Sequence, residues 1–241
     1  MLGEASQLPI CGVWIDEAGR AHVALAAEDG GRSEALAEFR PFAWLKDRPA
    51  EPPPHTEIEK LSGEGLYTVL AHTHAVPAHE ALLKQVGASG YDVLRPLECQ
   101  FLLQKRRRLY DGLRFHQLRR CQLDIETAAA GEDHFSDPTN PGDRVLAVGL
   151  RFGERTELLE LAADTDDAER DLLQRFNAVL GAEDPDTIEG HNLFKFDLDY
   201  LRVRGKRLKV ACAWGRFEQK ASFRNSRLKL AERWLDFPRC D

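Results

Sequence analysis

Apolar and polar positions alternate from Cys11 to Ile15 and from Ala21 to Ala26, around the turn residues Glu17, Ala18 and Gly19, which predicts two short strands. An apolar, aromatic segment from Phe39 to Leu45 follows, broken by Pro41, and the proline-rich stretch Arg48 to Pro54 reads as a loop. Leu66 to Ala71 and Tyr91 to Leu97 are expected strands. Between them lies a helix from Pro77 to Val86, with proline in its first turn and Gly87 closing it. Glu98 to Tyr110 continues as a helix ending near Asp111 and Gly112.

From about residue 118 the elements lengthen. Cys121, Leu123 and Ile125 mark one buried strand face, and a polar loop from Gly131 to Asp143 contains Pro138 and Pro141. Val145 to Phe152 and Thr156 to Leu161 form a hairpin through Gly153, Glu154 and Arg155. Leu172, Leu173, Phe176, Val179 and Leu180 recur at helical spacing in a helix from Asp166 to Leu180, with Asp166 and Glu169 as its start and Gly181 after its end. A short strand, Thr187 to Glu189, and a helix from Phe194 to Val203, stopped by Gly205, complete the pattern. Three successive strands followed by helix, strand and helix predict a mixed sheet with helices packed on it. The expected fold class is α/β (α+β): a smaller α+β domain over residues 1–117, then a mixed-sheet domain over 118–241.

The 241 residues, 43% hydrophobic and 30% charged, suit a soluble globular protein of two domains. No apolar stretch is long enough to span a bilayer and Met1 to Pro9 has no leader pattern, so no membrane partner and a cytoplasmic location are expected. The five cysteines include no Cys-x-x-Cys pair, which disfavours both a disulfide framework and a thiolate zinc site. His72, His74 and His79 lack ligands at zinc spacing and are expected to be surface residues. No glycine-rich nucleotide fingerprint surrounds Gly190, His191 and Asn192.

The net charge of −7 argues against binding nucleic acid through overall basicity. The charge is unevenly spread, however. Lys105 to Arg108 with Arg114, Arg119 and Arg120 form one basic block, and a second runs from Arg202 to Arg224, with acidic sequence between. That pattern suits a carboxylate site flanked by phosphate-holding surfaces, and equally solvated helix faces.

Residues two apart on a strand leave the same face, so Asp124 and Glu126 project together. Adjacent carboxylates repel unless a cation lies between them, and hard oxygen donors suit Mg2+ or Mn2+ better than zinc. Asp197, at the start of the last predicted helix, offers a third carboxylate. Two divalent cations about 4 Å apart activate water, relieve phosphoryl charge and stabilise a departing 3′ oxygen. Asp124 suits the bridging position, Glu126 the water-activating ion and Asp197 the other side. A nearby tyrosine or histidine would accept the proton. Asn192 and Phe196 are candidate substrate contacts, with core packing the alternative for Phe196.

At these residues the chain resembles the family B DNA polymerases. Leu123-Asp124-Ile125-Glu126-Thr127 is similar to their first exonuclease motif, and Gly190-His191-Asn192-Leu193-Phe194-Lys195-Phe196-Asp197 to the second, with Asp184 to Ile188 resembling the run that often separates them. Phe39 to Leu45, and Tyr91 through Arg108, resemble the amino-terminal domain preceding the exonuclease. The resemblance implies an RNase H-like fold, 3′ to 5′ proofreading chemistry on single-stranded DNA at a primer terminus, and two divalent cations. Asp124, Glu126 and Asp197 then correspond to three of four metal carboxylates, and Thr127, Asn192 and Phe196 to positions near the substrate strand.

The family's third motif, with its tyrosine and fourth aspartate, is expected well beyond residue 197. Phe237 to Asp241 mimics its spacing with phenylalanine in the tyrosine's place and at too early a position. No polymerase palm motif is present, so polymerisation is excluded for this chain. The expectation is an amino-terminal piece of a longer polymerase, partnered by the rest of that chain and cutting poorly alone. The rival readings are a non-catalytic nucleic-acid-binding module and an RNA-directed exonuclease of the same fold.

Overall fold

The structure is a computed structural model that describes residues 8–129, 135–217, 219–221, 223–230 and 232–240. It divides into two compact units, Met1–Leu113 and Arg114–Asp241.

In the first unit, β1 (Ile10–Ile15), β2 (Arg20–Ala26) and β3 (Arg32–Glu38) form an antiparallel sheet in that order. A second antiparallel sheet has the order β5 (Thr56–Lys60), β6 (Val69–Thr73), β4 (Phe42–Leu45), β7 (Tyr91–Asp92). Helix α1 (Val76–Val86) packs on this sheet through Leu82 and Leu83, with Gly87 at its end as expected. The strands β3 and β5 escape the periodicity because they are edge strands, largely polar and exposed along their length.

Two predicted elements are cut short. The strand from Tyr91 stops at Asp92, because Pro96 introduces α2 at Leu97. Helix α2 (Leu97–Lys105) ends at Arg106, which is left-handed and donates its N–H to Leu103 O. Leu109 and Tyr110 are instead drawn to Ile10 on β1, where Tyr110 N–H meets the Ile10 carbonyl at 2.7 Å. Tertiary pairing overrides helical propensity there.

His79 is buried on α1, 2% exposed, with neither ring nitrogen hydrogen-bonded, so it is not the surface histidine expected. It lies on the face of α1 that Leu82 and Leu83 share, three and four residues on. Burial, aided by the positive charge of Arg95, pushes its pKa down to about 4.

In the second unit, β8 (Arg120–Thr127), β9 (Val145–Phe152) and β10 (Arg155–Glu160) form an antiparallel meander, and β11 (Thr187–Glu189) joins β8 in parallel, giving the order β10-β9-β8-β11. This is the mixed sheet expected. Cys121, Leu123 and Ile125 of β8 pack with Val148 and Leu150 of β9 against α3 (Asp166–Glu183) and α4 (Asp197–Leu208). Each fully buried aliphatic side chain contributes about 1.5–3 kcal/mol. The alternate residues of β8 face the other way, so Gln122, Asp124 and Glu126 are exposed. A hairpin of β12 (Phe223–Leu230) and β13 (Arg233–Cys240), not anticipated, follows.

Helix α3 starts at Asp166 as expected, but its end and both ends of α4 differ from expectation. Thr165 caps α3, its hydroxyl accepting from Ala168 N–H, and the helix runs through Gly181 to a left-handed Asp184. Glu169 does not cap the helix; it is buried beneath it. Helix α4 begins only at Asp197 and passes through Gly205, where a Cβ would stand 2.9 Å from the Val210 carbonyl. Gly205 therefore permits close packing and does not stop the helix. The residues 131–134 of the predicted polar loop, and Asp241, lie outside the described residues.

Among the described residues no helix is long and apolar enough to cross a membrane. Cys99, Cys121 and Cys212 are free thiols, and burial pushes that of Cys121 up to about 12.

Candidate active site

The ladder between β11 and β8 ends where Glu189 faces Gln122. Gly190 follows at once, and a Cβ there would lie 2.6 Å from the Leu123 carbonyl. Only glycine lets the chain turn away so close to the strand. Asn192 adopts a left-handed conformation (φ 54°), which asparagine tolerates, and its carbonyl accepts from the N–H groups of Lys195 and Phe196. This turn delivers Asp197 to the first position of α4. There its carboxylate accepts the Ile125 N–H at 3.2 Å, taking the place a further strand would occupy on β8.

Ile125 lies between Asp124 and Glu126, so the second acidic segment is seated on the first. Asp124 is close enough for its charge to raise the Asp197 pKa, although burial is the larger cause; the Ile125 N–H and His191 pull the other way. Asp197 is 1% exposed, whereas Asp124 and Glu126 face solvent. The structure thus brings Asp124 and Asp197 together, with Glu126 on the same face of β8. Among the described residues no three His, Cys, Asp or Glu side chains stand as a ready metal-holding group. The donor set is nonetheless wholly carboxylate oxygen, which fits a hard divalent cation.

Thr127 is half-buried at the end of β8, paired with Val145 just past a register shift after Glu126. The Asn192 side chain is exposed. Phe196 is half-buried against the core, its ring 5.4 Å from that of Tyr200.

The groups that hold this arrangement were not recognised from the sequence. Tyr200 and Arg204 follow Asp197 on the buried face of α4. Arg204 forms a fully buried ion pair with Glu169 of α3, Nε to Oε1 at 2.7 Å, and donates to the Asn140 carbonyl at 2.6 Å and the Pro141 carbonyl at 3.3 Å. Glu169 also accepts the Val145 N–H at 3.0 Å. Tyr200 donates to the Asp143 carbonyl at 2.7 Å and bonds Ser136 Oγ. Tyr200 is 2% exposed and its hydroxyl is committed to these two bonds, which makes it a structural tyrosine; burial raises its pKa. Together these bonds tie the connection between β8 and β9 to α4, the helix that carries Asp197. The spacing of Tyr200 and Arg204, three and seven residues after Asp197, was the available clue.

Residues 97–232 match the family described as DNA polymerase family B, exonuclease domain. The chain is 34% identical over 111 residues to the DNA polymerase delta catalytic subunit of Bos taurus, and 35% over 111 residues to that of Mesocricetus auratus; each match covers 40% of this chain and 10% of the relative. It is 27% identical over 121 residues to a DNA polymerase of Archaeoglobus fulgidus, covering 50% of this chain and 14% of that one. The chain therefore spans about a tenth of the mammalian subunits it matches. Among solved structures, the family B DNA polymerase of Pyrobaculum calidifontis superposes with a TM-score of 0.62 at 18% identity, over 89% of this chain and 34% of that chain, a likeness of fold.

Proposed function

The chain belongs to DNA polymerase family B through its exonuclease domain, and from that premise we propose that it removes nucleotides from the 3′ end of single-stranded DNA, as the amino-terminal and proofreading part of a longer DNA polymerase. Residues 118–241 would be the RNase H-like exonuclease domain and residues 1–117 the domain that precedes it. One observation carries the reading: Asp197 of the second acidic segment sits on the Ile125 N–H, between the two acids of the first.

Asp124, Glu126 and Asp197 would hold two divalent cations, Mg2+ or Mn2+. When bound, such ions supply an activated water and charge relief for the phosphoryl oxygens. The protein's own part is positional. Asp197 is desolvated and seated against β8 by a backbone donor, so its carboxylate is directed without a search through rotamers. Asp124 and Glu126 keep an open side facing solvent, where a strand end can enter. Thr127, Asn192 and Phe196 flank that opening as substrate contacts. The Arg204 and Tyr200 bonds to residues 136–143 keep α4 in register with the end of β8.

The test is a 5′-labelled single-stranded DNA incubated with the chain and Mn2+. The reading predicts stepwise shortening from the 3′ end that Asp124→Ala abolishes. No shortening, or shortening indifferent to Asp124, would favour the non-catalytic binding module, and preference for RNA ends would move the assignment to an RNA exonuclease.

A further inference from the structure

The exposed face of β8 continues beyond the acids. Register places Glu126 beside Ala147, Asp124 beside Gly149 and Gln122 beside Arg151, so these pairs share one face. Ala147 and Gly149 leave a low floor next to the acids. Toward the start of β8 the character changes to basic and aromatic, in a cleft of about 270 Å3 lined by Phe115, His116, Arg120, Gln122, Arg151 and Gly153. No carboxylate lines it among the described residues.

The cleft is firmly built. Phe115 stands on a single 3-10 turn, Phe115–Gln117, closed by the Arg114 N–H donating to Gln117 Oε1 at 2.9 Å. Phe115 is 66% exposed, unusual for a phenylalanine, and the Arg120 guanidinium lies over its ring, 4.4 Å from the centroid. Arg120 is itself fixed by Glu189, Nε to Oε1 at 2.6 Å, so it serves as backing for the ring and not as an anion ligand. Arg151, exposed, is anchored by Nε to the Gly153 carbonyl at 2.8 Å. An anchored aromatic ring beside an arginine matches the chemistry of one nucleotide unit: a base to stack and a phosphate to neutralise.

We propose that this cleft is a subsite for single-stranded DNA upstream of the cleavage point, the base stacking on Phe115 and the backbone phosphate held by Arg151. The inference rests on the exonuclease reading for its polarity: a polyanion laid along β8 puts its 3′ end at the acids and its interior on the arginine. Four residues of strand separate Gln122 from Glu126, about 13 Å at the usual rise. At about 3.4 Å per stacked nucleotide the cleft receives the unit about three to five positions from the 3′ end.

The experiment uses the full chain carrying Asp124→Ala, in EDTA, with fluorescent oligothymidylate of ten nucleotides. Phe115→Leu and Arg151→Ala are each expected to weaken binding about five- to tenfold, with Phe115→Trp restoring it and Arg151→Ala lowering the salt dependence by about one counterion. Decamers carrying 5-iododeoxyuridine at successive positions should photocrosslink to the Phe115 peptide most strongly three to five nucleotides from the 3′ end. Affinities within twofold of the parent, no decamer binding, or crosslinking peaked at the terminal nucleotide would overturn the subsite. Failure of the exonuclease reading is separate: the parent chain with Mn2+ would leave the decamer intact while binding still depended on Phe115 and Arg151.

Discussion

Replacing Arg204 with methionine removes the cation from a pair in which both side chains are wholly buried. Glu169 would keep only the Val145 N–H and the Arg144 guanidinium 4.0 Å away, and the carbonyls of Asn140 and Pro141 would lose the guanidinium that donates to them. Breaking a buried pair from one side costs about 3–5 kcal/mol, because a poorly compensated charge stays in a poorly hydrated site. For a unit of this size that corresponds to a loss of roughly 10–20 °C in Tm. The companion variant, Glu169→Met with Arg204→Met, removes both charges. It should lose less than about 2 kcal/mol, chiefly through the Val145 N–H that Glu169 accepts. Hydrogen exchange of the α3 and β8 peptides across a urea series reads the second unit alone. A loss under 1 kcal/mol for Arg204→Met, or a double variant no better than the single one, would refute the reasoning.

Three other substitutions probe separate parts of the account. Asp197→Asn retains an oxygen for the Ile125 N–H and removes a buried charge that Asp124 opposes; nuclease activity should fall by at least about 100-fold, while metal-free Tm stays level or rises. Gly190→Ala places a methyl against the Leu123 carbonyl and should cost about 1–3 kcal/mol, read by urea unfolding, with a matching loss of activity. In the first unit, a His79 pKa of about 4, below its unfolded value of about 6.5, means the unfolded chain binds the extra proton first. Stability should therefore fall as pH drops from 6.5 to 4, by roughly 3 kcal/mol at full protonation, and His79→Leu should flatten that profile in urea titrations at stepped pH.

What the sequence disclosed depended on whether the physics was local. The apolar alternation of Cys121, Leu123 and Ile125, and the hairpin at Gly153, are set by neighbours and were legible. The strand Thr187–Glu189 was placed with its observed bounds. The start of α3 at Asp166 is legible, whereas α3 and α4 run past Gly181 and Gly205, which look like stops in the sequence although helix packing, visible only in three dimensions, accepts both; α4 starts at Asp197 and not at Phe194 because the turn at Asn192 takes up the residues before it. The acidic residues could be named but not their seating, since the Ile125 N–H that receives Asp197 is 72 residues away along the chain. Glu169 looked like a capping residue; its partner Arg204, 35 residues on, gives it a different role. His79 looked exposed because its neighbours His72 and His74 are on a strand and its end, while His79 itself turns inward on α1 with Leu82 and Leu83.

The central claim is that Asp124, Glu126 and Asp197 act together on divalent metal. Calorimetric titration of the chain with Mn2+ tests it most directly: saturable binding that disappears in both Asp124→Ala and Asp197→Asn is the predicted result, and absent binding, or binding unchanged in either variant, would contradict it.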